Sequence, residues 1–228
     1  MIGRTFALLF PAAAALAMAA PAAAETRVLD FTQGNYCRGG QLCTNNGTID
    51  QSYGDTANLD VNYFSLVGAT RTQAFYYERG FGDLEGVLYA GNGSATSQGQ
   101  IVFTASTGFE LSLLSFDAGC FAGNANCRNF DWSVFDGSGQ IAAGSGSTGY
   151  PTHTAVNLGT GYSQQLVLNF GTGDNVGLDN IRFDIRPSAA VPSVPEPASW
   201  AMMIAGVGGI GGALRRRKGA GGAARALA

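Results

Sequence analysis

Residue types that could do chemistry are sparse in this 228-residue chain. The single histidine, His153, lies in Pro151-Thr152-His153-Thr154, a stretch that reads as the start of a strand. No Gly-x-Ser-x-Gly elbow accompanies it, so a hydrolytic triad has neither its nucleophile turn nor a partner fixed by spacing. A surface histidine is the plainer reading. Glu78, Asp83 and Glu85 crowd one Gly-rich turn. Two carboxylates on facing strands can cleave a glycosidic bond, but a solvated acidic loop accounts for these three equally well. Gly91-Asn92-Gly93 is followed by neither a helical pattern nor a lysine, which removes a phosphate-cradle reading. No catalytic residue is assigned, and the chain reads as non-enzymatic.

The four cysteines fall in two local pairs, Cys37-x5-Cys43 and Cys120-x6-Cys127. A zinc site calls for closer Cys spacing and nearby histidine, and neither is present. In an oxidising compartment two disulfides are the natural outcome. Cys37–Cys43 with Cys120–Cys127 is the simplest connectivity, although cross-links between the pairs stay open. Each local bridge would close a Gly/Asn-rich loop. Oxygen ligands gather in two places: Asp50-Gln-Ser-Tyr-Gly-Asp55 with Asp60, and Gly173-Asp174-Asn175-Val-Gly-Leu-Asp179-Asn180. Hard oxygen donors of this kind suit calcium, with Asp174 and Asp179 as its expected ligands. Asx-turns produce the same pattern without a metal.

Aromatic residues could stack on sugar rings where they are exposed: Tyr76, Tyr77, Tyr89, Trp132, Tyr150 and Tyr162 are the candidates. Trp132 alternates in register with Phe130 and Val134 and belongs to the core. Tyr150, beside Pro151 in a Gly-rich loop, is the one expected at the surface.

The elements that must position these residues are strands. Residues 25–186 show short apolar–polar alternations broken by Gly, Asn and Ser, with no 3.6-residue stripe of helical length. The alternations predict strands at 27–32, 59–66, 72–77, 86–90, 100–105 and 110–117, then at 129–135, 140–143, 153–157, 164–169 and 177–185. Turn signals are dense, as at Asn46-Gly47 and Asp136-Gly-Ser-Gly139. The expected fold is all-β, a two-sheet β-sandwich of jelly-roll type. No fixed-period repeat is evident, which argues against a solenoid or propeller. Residues 25–190 hold 15 acidic and 7 basic groups, all seven bases being Arg. That acidic body excludes nucleic acid as a partner.

Both flanks read as addresses. Arg4, the apolar run from Phe6 through Ala20, and Ala22-Ala23-Ala24 make residues 1–24 a signal peptide, cut before Glu25. Residues 187–194 form a Pro-rich linker. Pro195-Glu196-Pro197 follows, then an uncharged apolar stretch over 198–214, expected to be a single transmembrane helix. Arg215, Arg216, Arg217 and Lys218 would hold its far end on the cytoplasmic side of the inner membrane. Residues 219–228 read as a flexible tail.

Residues 195–218 resemble the PEP-CTERM sorting signal of Gram-negative bacteria in its PEPxxWA variant. Pro195, Glu196, Pro197, Trp200, Ala201, the apolar stretch and the basic cluster at 215–218 carry the resemblance in that order. It implies an exosortase-type membrane protease as partner, cleavage near the motif, and a destination at the cell surface or in the extracellular matrix. A shorter likeness lies in Gly177-Leu-Asp-Asn-Ile-Arg-Phe183, which resembles the closing strand of jelly-roll carbohydrate-binding modules. It implies a structural calcium held partly by Asp179, and extracellular polysaccharide as an alternative partner.

Overall fold

The computed structural model describes residues 23–91, 97–122, 130–148, 150–171 and 175–188, together with Ile204, Gly206 and Val207. The chain divides into two compact units, Met1–Ser188 and Ala189–Ala228. In the second unit the three described residues are helical and exposed. Among the described residues no helix is long and apolar enough to cross a membrane. The expected signal peptide up to residue 22, the expected linker from 189 and the remainder of the 198–214 segment lie outside them.

The first unit is a sandwich of two antiparallel sheets. Its strands are β1 (Glu25–Leu29), β2 (Gly47–Thr48), β3 (Leu59–Val67), β4 (Thr70–Gln73), β5 (Phe75–Tyr77), β6 (Val87–Tyr89) and β7 (Gln98–Ala105). They continue as β8 (Phe109–Cys120), β9 (Phe130–Asp136), β10 (Gly139–Gly146), β11 (Thr154–Asn157), β12 (Gln165–Phe170) and β13 (Val176–Pro187). One sheet runs β11-β8-β13-β6-β5-β2, with β1 also paired to β13; the other runs β10-β9-β12-β7-β3-β4. The all-β sandwich read from the alternation is therefore the fold.

Side chains on a strand point to opposite faces in turn, and the burial follows that period. On β3, Leu59, Val61, Tyr63 and Ser65 are buried while Asp60, Asn62 and Phe64 between them are not. The inner faces meet through rings: Phe103 of β7 lies 5.5 Å from Phe183 of β13, and Phe116 of β8 lies 6.5 Å from Phe130 of β9. Burying each such ring contributes roughly 2–3 kcal/mol. β13 is paired on both sides and opens with four consecutive buried residues, Val176 to Asp179. In the β3–β4 hairpin Val67 pairs with Thr70 across a two-residue loop, and Gly68 takes the positive φ of 58° such a turn demands.

Two departures from the expected strands are informative. The predicted 72–77 strand is two strands, β4 and β5, which belong to different sheets. The chain crosses between layers at Ala74, which is fully buried and whose carbonyl accepts from Ile49 N–H. The alternation runs unbroken through this crossing, so the pattern cannot reveal it. β2 has no apolar alternation; it exists because Gly47 and Thr48 pair with Tyr76 and Phe75.

Candidate functional site

Asp179 joins the last strand to the N-terminal segment. Its Oδ1 accepts the Phe31 N–H at 2.8 Å, and only 5% of the residue is exposed. Burial pushes its carboxyl up to about 6, the nearby Asp30 and Asp117 charges adding to the effect and backbone N–H donors at Phe31 and Asn180 opposing it. The same N-terminal segment is fastened by phenols. Tyr36 donates to the carbonyls of Phe31 and Thr32, and Tyr53 donates to that of Asp30. The Tyr36 and Tyr53 rings are stacked with centroids 4.4 Å apart. They line a cavity of about 270 Å³ together with Asp50, Ser52 and Gly54.

The other expected calcium ligand, Asp174, lies outside the described residues. Among the described residues no group of three or more His, Cys, Asp or Glu is placed to hold a metal. The Asp50–Asp60 turn uses its oxygens locally: Asp50 accepts from the backbone of Ser52 and Gly39, Asp55 from Val61 N–H and Asp60 from the Asn62 amide. Only the Asp50–Ser52 contact is an Asx-turn; the Gly39 and Val61 contacts tie the turn to neighbouring segments. Cys37 and Cys43 form a disulfide, and Cys120 is also disulfide-bonded; Cys127 lies outside the described residues.

His153 stands between two carboxylates, its Nδ1 2.8 Å from Asp83 Oδ1 and its Nε2 3.9 Å from Asp117 Oδ2. The His153 ring and backbone N–H hold Asp83 below the usual carboxylate range. Among the described residues no hydroxyl or thiol hydrogen-bonds this ring. Of the three acids on the Gly-rich turn, Asp83 is committed to His153.

Most candidate aromatics are structural. Tyr76 and Tyr89 are buried, Trp132 packs against the core, and Tyr162 lies under the Arg186 guanidinium at 3.4 Å. Tyr150 is exposed at 58%, as its loop position predicts.

A polar concavity escapes the sequence reading altogether. It occupies about 450 Å³ beside the outer face of the six-stranded sheet, lined by Gln98, Asp131, Ser133, Ser145 and Asn169, with Trp132, Gly144 and Phe170 among its walls. Cross-strand pairing assembles it: Phe64, Gln100, Asn169, Ser133 and Ala143 form one row across β3, β7, β12, β9 and β10. Gln100 is 94% buried by its 6% exposure, donates through Nε2 to Asn169 Oδ1 at 2.8 Å, and leaves its Oε1 without a partner. The lining residues come from β7, β9, β10 and β12, of which only β9 and β10 are neighbours in sequence, and no local motif marks them.

Comparison with known families addresses the other unit. A model of the PEP-CTERM protein-sorting motif matches residues 193–218. Residues 193–218 therefore carry a PEP-CTERM sorting motif. The match spans Pro195, Glu196, Pro197, Trp200 and Ala201, and the basic cluster Arg215, Arg216, Arg217 and Lys218, all of them outside the described residues. The PEP-CTERM motif implies export, membrane-associated sorting and processing by an exosortase-type membrane protease. No curated protein matches the chain.

Proposed function

We propose that this protein is a non-enzymatic component of the cell surface or extracellular matrix of a Gram-negative bacterium. Its β-sandwich is the cargo. The tail is the address, cut near Pro195-Glu196-Pro197 so that the sandwich is released or re-anchored. The observation that carries this reading is the sorting-motif match over residues 193–218. Replacing Pro195, Glu196 and Pro197 together by alanine tests it. The full-length chain is expected to accumulate in the membrane fraction, and unchanged release of a mature form would contradict the proposal.

The second reading makes the sandwich a polysaccharide-binding module, and the polar concavity on the six-stranded sheet favours it. A structural calcium at Asp179 belongs to this second reading, because a cation would offset the charge of a buried carboxylate flanked by Asp30 and Asp117. A higher melting temperature in millimolar calcium than in EDTA supports that ion, and equal values remove it.

A further inference from the structure

The concavity on the six-stranded sheet is built from side chains that lack protein partners. Among the described residues the side chains of Gln98, Asp131, Ser133 and Ser145 make no hydrogen bond or ion pair, although all four line the same 450 Å³ space. Asn169 receives the Gln100 amide on its Oδ1, which leaves its own Nδ2 to face a ligand. Gln100 sharpens the point. An antiparallel sheet commonly turns one polar face to water, and there each polar group is satisfied by solvent. Gln100 is buried instead, and one end of its amide is unpaired. Turning the amide over moves the unpaired atom from oxygen to nitrogen but does not remove it. An unpaired buried amide is a standing cost to the fold, and it is coupled through Asn169 to the floor of the concavity.

The ligand chemistry follows from the lining. Two amides and two hydroxyls offer donors and acceptors side by side, which is what a sugar hydroxyl, itself donor and acceptor, requires. Asp131 is the one charged lining residue, so a polyanion would meet repulsion without a compensating cation. The volume is in the range of about 300–1,000 Å³ usual for small-ligand sites. Stacking contributes little: Trp132 is held edge-on to Phe116 at 6.3 Å and lies so close over Gly144 that an added Cβ would come within 2.6 Å of its ring. Recognition there is by hydrogen bonds.

We infer that this concavity binds a neutral, hydroxyl-rich polysaccharide, with Asn169, Ser133, Ser145 and Gln98 contacting the sugar and Gln100 positioning Asn169. The inference deepens the polysaccharide-binding reading and is independent of how the tail is processed.

Affinity electrophoresis of the full-length chain in detergent tests it, with gels containing dextran, a mixed-linkage β-glucan, a galactomannan or alginate. At least one neutral polymer should retard the protein, and alginate should not. The double variant Ser133→Ala/Ser145→Ala should bind that polymer about tenfold more weakly, as expected for two lost hydrogen bonds. Its melting temperature should stay near that of the wild type, because neither hydroxyl bonds to the protein; the single variant Ser145→Trp, which fills the space, is the second probe and should also abolish retardation. Retardation by no neutral polymer would overturn both the site and the binding-module reading. Retardation by a neutral polymer that survives both variants would overturn the site alone. Retardation by alginate only would overturn the assignment to a neutral ligand.

Discussion

Asp179 shows how a residue chosen for one chemistry can be held by another. The sequence places it in an oxygen-rich turn at the start of the last strand; the fold buries it and gives its Oδ1 to Phe31 N–H. An unfolded aspartate titrates near 3.9, whereas burial lifts the folded value to about 6. The sign is that of a raised acid: its contribution is fully present below pH 4 and is lost as the pH rises through 6, a loss of about 2–3 kcal/mol. Asp179→Asn keeps an oxygen for Phe31 N–H and removes the ionisation. The variant should therefore melt near the wild type at pH 4 and above it at pH 7. A melting-temperature difference between the two proteins that does not change over this range would contradict the assignment. Residue type was a fair guide to Tyr150, which its Pro-Gly surroundings put at the surface. It was a poor guide to Gln100 and Asn169, whose significance comes only from burial and from a partner 69 residues away.

At the scale of elements, alternation gave the strands their places because it reports burial on one face directly. It could not tell that β4 and β5 lie in different sheets, since the period does not change at Ala74. Nor could it place β2, which is defined by its partner. The concavity is an element-scale object of the same kind: a row of residues brought level by register across five strands. The N-terminal segment around Phe31 is another. It passes so close to Gly86 that an added Cβ would sit 1.9 Å from the Phe31 carbonyl oxygen. Gly86→Ala must push the segment away from Asp179, Tyr36 and Tyr53, and should destabilise the protein by about 3 kcal/mol or more in urea titrations. A variant as stable as the wild type would show that the segment is not locked. The phenols make a second prediction. Burial raises Tyr36, Tyr63 and Tyr76, and brings Tyr53 to about 12. These acids are protonated in the fold when their unfolded counterparts begin to ionise near pH 10. Stability is thus intact below pH 10 and falls as the pH rises through the folded values. Phenolate absorbance from these rings should appear together with loss of the near-ultraviolet dichroism. Their ionisation with the dichroism unchanged would contradict the packing described.

For the whole molecule, the division of labour follows the chain. The body is acidic, with all its bases arginine, and folds as two packed sheets stapled near its N-terminal edge by Cys37–Cys43. The sorting tail was legible without a structure because it is a linear signal: a short motif, an apolar stretch and a basic cluster in fixed order, each read independently of the fold. The polar concavity of the body was illegible for the converse reason. It exists only once β7, β9, β10 and β12 are in register, and the polar residues that line it are ordinary Gln, Asn, Ser and Asp.

The central claim is that the signal peptide exports this sandwich and the tail sorts it and is then processed. Intact-mass and terminal-peptide analysis of the protein from its native cells and medium tests it most directly. The account predicts a mature chain that begins at Glu25 and has lost everything beyond the Pro195-Glu196-Pro197 region. A chain that keeps Trp200 through Ala228 in the membrane fraction would contradict it, and the protein would then be a simple anchored ectodomain.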